Sequence, residues 1–183
     1  NGICSLNQGV DRFTLSCMMD IDSTGKIIDH KISESVINVD RRISYTSVKK
    51  ILTDNDTDTI NEYKDFVPMF KLMEELATIL RKKRQQRGSI DFDFPECKIV
   101  LDKAGRPLDI KPYERNTATK IIEDFMLAAN ETVAEDYFWQ QIPFVYRTHD
   151  TPDKDKINEL AAFINNFGYS IKVSNDEIHP KEL

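Results

Sequence analysis

"ERNTATKIIEDFMLAANETVAEDYFW", residues 114–139, carries the strongest helical signal in the chain. Ile121, Ile122, Phe125, Met126, Ala129 and Val133 recur at the three- and four-residue spacing that lines up one side of an α-helix. Glu123 and Asn130, a heptad apart, share a second face offset from that stripe. Two explanations fit this polar edge. It faces solvent, or it lines a cleft in which Glu123 accepts hydrogen bonds from a base or sugar. Periodicity alone does not choose between them.

A second long helix is expected upstream. Thr59 and Glu62 have the separation of a capping box. Phe66, Met69, Phe70, Met73, Leu76, Ala77 and Leu80 follow at helical spacing. Pro68 removes a backbone donor and is expected to delay or kink the helix, and Gly88 to end it. The last turns read "RKKRQQRG", residues 81–88, with cations at Arg81, Lys82, Lys83, Arg84 and Arg87. Cations suit the C-terminal end of a helix dipole, so a solvated helix end is one reading. Phosphate binding is the other, because a guanidinium fork can pair with two phosphate oxygens. The formal net charge of −6 argues against broad coating by nucleic acid. It permits a focused positive channel, since screening in physiological salt acts over roughly 10 Å.

Around these helices the pattern is mixed. Residues 11–22 alternate as a strand, "DSTGK" at 22–26 supplies a turn, and the Ile- and Val-rich stretch 27–45 reads as its hairpin partner. "TSVKKILTD", 46–54, reads as a short helix capped by Thr46. "SIDFDF", 89–94, alternates as a strand, and "CKIVLDKAGRPLDIKPY", 97–113, reads as a second hairpin. "IPFVYRTH", 142–149, is expected to be a short buried strand. Thr151 as N-cap, Pro152 at N1 and Gly168 beyond the end bound a last helix. A final short strand is expected from Tyr169. The class is therefore α+β, antiparallel hairpins packed with long helices.

The remaining candidates for chemistry have ordinary explanations beside their functional ones. Asp91 and Asp93 fall on one face of the expected strand and could hold Mg²⁺, or they form a solvated strand face. Asp20 and Asp22 are explained by turn chemistry. Arg147 and His149 alternate, but no Ser or Cys is tied to His149 as a nucleophile. Cys4, Cys17 and Cys97 are odd in number and lack a metal-ligand spacing, so buried reduced thiols of a cytosolic protein are expected. His30, His149 and His179 are too scattered to suggest zinc. At 183 residues the chain can bury a core, and no apolar run is long enough to cross a bilayer.

Read together, "NGICSLNQGVDRFTLSCMMDIDSTGKI", "RGSIDFDFPE", "ERNTATKIIEDFMLAANETVA" and "PFVYRTHDTPDKDKINEL" resemble successive motifs of the RNB catalytic domain of the ribonuclease II and ribonuclease R exoribonucleases, ribonuclease R being the nearer. The resemblance covers almost the whole chain in order. It implies processive 3′-to-5′ hydrolysis of RNA to nucleoside 5′-monophosphates, in the cytoplasm, with the 3′ end of a single strand threaded towards a Mg²⁺ site. The metal-binding aspartates of the family form a D-x-x-x-x-x-D-x-D-D motif upstream of "CSLN", which residues 1–183 do not contain. No metal is expected on this chain. The start "NGICSLN" reads as the middle of a longer protein, so residues 1–183 are expected to be the C-terminal part of an RNB domain without the cold-shock domains and the OB-fold domain. By resemblance Arg84 or Arg87 holds a phosphate near the 3′ end. Glu123, or failing it Asp124, supports the terminal nucleotide, and Arg115 structures the channel. Arg84, Arg87 and Glu123 should then face one groove, whose exposed apolar wall could drive self-association. A noncatalytic RNA-binding or protein-interaction module is the rival reading.

Overall fold

Strand β1 (Asp11–Ile21) pairs antiparallel with β2 (Ile27–Asn38), from Asp11 opposite Asn38 to Ile21 opposite Ile27. A computed structural model describes residues 2–91, 97–113 and 115–171. Asp22 closes the connecting turn, its carboxylate accepting from the Thr24 and Lys26 amides and the Thr24 hydroxyl. These bonds favour the ionised form and hold Asp22 below the usual carboxylate range. The second strand stops at Asn38 rather than continuing to residue 45. A second hairpin joins β3 (Cys97–Leu101) to β4 (Pro107–Pro112) in a separate two-stranded sheet. Asp102 repeats the turn device, accepting from the Ala104 and Arg106 amides.

The helices set the core. Helix α1 (Tyr45–Lys49) is capped by Ser44, not Thr46, and continues as a π-helical turn over Lys50–Asp54. Asn55 ends that turn in the left-handed conformation, which Asn tolerates. Helix α2 (Thr57–Glu62) is capped by Asp56, which accepts from the Thr59 amide at 2.9 Å and leaves Thr59 inside the first turn. The Thr59–Glu62 capping box therefore does not form. Helix α3 (Val67–Arg87) begins afresh, with Pro68 in its first turn where the missing N–H costs nothing. Gly88 ends it at φ 104°, while the Ser89 amide returns to the Arg84 carbonyl.

Helix α4 (Thr117–Trp139) opens on Asn116, whose side chain and Thr119 cap each other. Its buried positions are Ala118, Ile121, Asp124 and Thr132. The expected stripe is thus rotated: Ile122 and Met126 are exposed, and the inward line carries an aspartate. Ile121 and Phe125 are each followed by an apolar residue, so two adjacent faces were available, and packing against α3 decides which is buried. Phe70, Ala77 and Leu80 of α3, with Ile51, complete that core. Helix α5 (Lys154–Asn165) is capped by Asp153, two residues later than the expected Thr151, because Asp153 accepts from the Asp155 and Lys156 amides.

Of two further expected strands, one falls partly outside the described residues and the other does not form. Ser89, Ile90 and Asp91 are irregular, and residues 92–94, Asp93 included, lie outside the described residues. Residues 142–149 form no strand and are exposed, Val145 almost fully, so Arg147 and His149 share no sheet face. Glu114, His179 and the expected strand beyond Ile171 also lie outside the described residues. All three cysteines are free, but Cys4 and Cys97 are exposed rather than buried, because each sits in an element with little packed over it.

The first hairpin is docked against both long helices. Lys83 Nζ donates to the Gly25 carbonyl at 2.8 Å, the Thr132 hydroxyl lies 3.3 Å from Met19 Sδ, and His30 Nε2 lies 3.0 Å from Asp136 Oδ1. Gly25 has φ +79°, and a Cβ there would stand 3.1 Å from Ile79 Cγ2. Gly25→Ala is therefore expected to cost about 1–2 kcal/mol from the left-handed backbone alone, measured by urea unfolding. A midpoint equal to the parent's would contradict the left-handed backbone at Gly25.

Candidate functional site

The C-terminal half of α3 lies beside α4, and three arginines spaced three residues apart meet carboxylates there. Arg81 and Arg84 both donate to Asp124, at 2.5 and 2.7 Å. The Asp124 side chain is only 1% exposed and Arg84 is 20% exposed. Arg84 Nε is buried and without a hydrogen-bond partner among the described residues. One turn further, Arg87 grips Glu131 with two parallel bonds of 2.7 and 3.0 Å. This pair stands in water, Arg87 at 63% and Glu131 at 50% exposure. The bonds to Glu131 hold the Arg87 guanidinium above its usual pKa, against a smaller opposing effect of burial.

These groups enclose a cleft of about 120 Å³ lined by Lys83, Arg84, Arg87, Asp124 and Glu131, with the Gly25 turn on its far side. The volume is well below the roughly 300–1,000 Å³ of sites for drug-sized ligands. It suits a group the size of a phosphate rather than a nucleoside. A larger cleft, about 350 Å³, lies between α1, α3 and α4 and is mainly apolar, with Val48, Phe66, Phe70, Met73 and Ile121 among its walls.

Arg115 organises a second cluster. It donates to Asp91 at 2.7 Å and to both oxygens of Glu123 at 3.0 and 3.1 Å. The bond from Arg115 holds the Asp91 carboxyl below its usual range, with Lys120 and Arg81 adding smaller effects. Asp91 also raises the Arg115 guanidinium. Arg81 thus lies within electrostatic reach of both clusters.

Among the sequence-derived candidates, Arg84 and Arg87 share the small cleft and Glu123 is not among its lining residues. Consecutive residues on a helix point about 100° apart, so with Asp124 turned to α3, Glu123 points to the neighbouring face. Asp124, the fallback for Glu123, is sealed between two arginines and presents no oxygen outward. Asn130 is exposed. Glu131 was not singled out from sequence, and Arg81 only as one cation of the basic run. Their positions, a heptad after Asp124 and one turn before Arg84, were the available signal. Among the described residues no three His, Cys, Asp or Glu side chains cluster closely enough to hold a metal ion. Asp91 is already engaged by Arg115, so these residues do not fit a Mg²⁺ site.

The family model described as "RNB domain" matches residues 1–183. Ribonuclease R of Thermotoga maritima is 41% identical over 184 residues, covering all of this chain and 26% of its own length. Ribonuclease R 1 of Lactococcus lactis is 38% identical over 183 residues, covering all of this chain and 22% of its own length. The structure of Mycoplasma genitalium RNase R in complex with ribose methylated single-stranded RNA superposes with a TM-score of 0.83 at 29% identity, covering the whole chain and 28% of the RNase R chain. The chain thus spans about a quarter of the length of the curated relatives it matches.

Two outcomes follow from the contrast between the clusters. Asp124→Ala leaves two partly buried guanidinium groups unpaired and is expected to cost about 3 kcal/mol, whereas Glu131→Ala, on an exposed pair, should cost under about 1 kcal/mol. Equal losses in urea unfolding would contradict the burial difference. Because Asp91's folded pKa is depressed, the Arg115–Asp91 pair contributes stability above the unfolded aspartate value near 4. That contribution is lost as pH falls through the lower folded value. The stability gap between the parent and Arg115→Met should therefore narrow in that acid window, and a gap constant with pH would dismiss the pair.

Proposed function

The chain belongs to the RNB-domain family, and on that premise we propose that it is part of the catalytic domain of a hydrolytic 3′-to-5′ exoribonuclease releasing nucleoside 5′-monophosphates from RNA. The observation that carries the reading is the small cleft itself. Lys83, Arg84 and Arg87 concentrate positive charge there in a chain of net charge −6. Its size fits a backbone phosphate at the 3′ end of a single strand. Arg87 is the phosphate ligand in this reading, because its fork is exposed and held by a weak surface pair. Arg84 is committed to Asp124 and acts by positioning α3 against α4. Glu123 supports the terminal nucleotide, and Arg115 fixes its carboxylate.

Phosphodiester hydrolysis in this family would use Mg²⁺ to activate water and stabilise the leaving oxygen. We place the metal-binding aspartates outside these 183 residues. The part assigned to this chain is charge neutralisation and orientation: arginine opposite the scissile strand stabilises negative charge developing on phosphate. The free cysteines suit a reducing compartment, which supports a cytoplasmic setting. No helix among the described residues is long and apolar enough to cross a membrane. A second reading, association through apolar surface, draws on one face of the first hairpin, where Phe13 and Leu15 are almost bare beside exposed Val36. Such a face supports docking within a longer protein or self-association.

The test has two arms. The pure 183-residue chain with Mg²⁺ and 5′-labelled single-stranded RNA should release no nucleotide; steady 3′-end shortening would refute the division of labour. In the longer enzyme, Arg87→Ala should slow degradation about a hundredfold with the melting temperature held, while Arg84→Ala should lower both rate and stability. Unchanged rates in both variants would remove the phosphate assignment.

A further inference from the structure

We propose that Glu131 is an internal stand-in for RNA phosphate, a carboxylate that occupies Arg87 at rest and is displaced by the strand. The inference rests on the phosphate reading of the cleft and deepens it. A carboxylate and a phosphate present similar oxygen pairs to a guanidinium fork, and Arg87 holds Glu131 in that two-bonded form. Of the ion pairs between α3 and α4 among the described residues, this one can exchange cheaply. Asp124 is sealed at 1% exposure between two arginines, so withdrawing it strands buried charge. Glu131 is half exposed and opens into water, where such a pair contributes little.

The surroundings favour exchange as well. Lys83 lines the same cleft, and its ammonium is anchored on the Gly25 carbonyl, so positive charge stays in place when Glu131 swings out. At rest the two bonds to Glu131 hold the Arg87 fork in place, which spares the strand part of the entropy of ordering that side chain. The same carboxylate repels any anion that cannot displace it. Glu131 is therefore a specificity-determining residue: it lowers affinity for weak or isolated anions more than for a polyanion threaded past several cations.

The experiment is a double-mutant cycle in the full 183-residue chain, read by fluorescence anisotropy of a labelled oligouridylate. Glu131→Gln keeps the side-chain shape at an exposed position, and circular dichroism confirms folding. Binding should tighten about two- to fivefold at low salt, with the gain shrinking as salt rises. In an Arg87→Ala background the same change should do almost nothing. Equal tightening in both backgrounds would mean general charge repulsion and overturn the stand-in. No tightening, with Arg87→Ala still weakening binding, would overturn it and leave the phosphate reading intact. If Arg87→Ala leaves binding unchanged, the phosphate reading falls and the stand-in with it. Inorganic phosphate at matched ionic strength is the second probe. Competition no greater than a chloride control supports the strand as occupant, and full displacement would make the occupant free phosphate and overturn the proposal.

Discussion

The architecture turns on one buried carboxylate. Asp124 faces α3 from a position that an apolar side chain would ordinarily fill, and Arg81 and Arg84 neutralise it there. Once that contact is made, the register of the two helices is fixed. Arg87, one turn beyond Arg84, then reaches Glu131, two turns beyond Asp124, its long side chain spanning the roughly 6 Å by which the two rises differ. The paired residues advance in the same direction along both helices, so a single anchored carboxylate sets which later side chains can meet. The first hairpin then closes the cleft, because its turn sits on Ile79 and Lys83 of the same helix.

The division between buried and exposed pairs follows from solvation. Water screens the Arg87–Glu131 pair and competes for both partners, so the pair contributes little and opens readily. Asp124 has no water to return to, so its pair acts as a pin. Two arginines of one sequence run, three residues apart, thereby acquire different duties. Spacing along the chain could not have separated them, because their chemistry is identical and only the depth of the partner differs.

Local signals were legible wherever the backbone itself enforced the outcome. The "DSTGK" and "KAGRP" turns, the Gly88 stop and the long α4 helix depend on residues close in sequence, and each is present. Some failures were local, since Ser44, Asp56 and Asp153 take the caps expected of Thr46, Thr59 and Thr151; the larger ones depended on distant partners. The stripe on α4 has apolar residues on two adjacent faces, and α3 selects the one containing Asp124. "IPFVYRTH" has strand-like composition, yet residues 142–149 have no sheet partner among the described residues and are exposed. The arginine end of the cleft could be read from its composition. Its carboxylate end could not, since 40 and 44 residues separate Arg84 from Asp124 and Arg87 from Glu131.

Net charge and local charge also part company here. A chain of formal charge −6 would repel a polyanion at long range. Within a Debye length of the cleft only nearby groups count, and there Asp124 and Glu131 offset two of the three lining cations and leave a small positive balance at rest. Anion affinity at such a site depends on which carboxylate can leave, not on how many cations are present. Burial forbids Asp124 to leave and exposure permits Glu131. On the proposed reading the site gains one guanidinium's worth of attraction when a strand displaces Glu131, and until then most of its positive charge is offset.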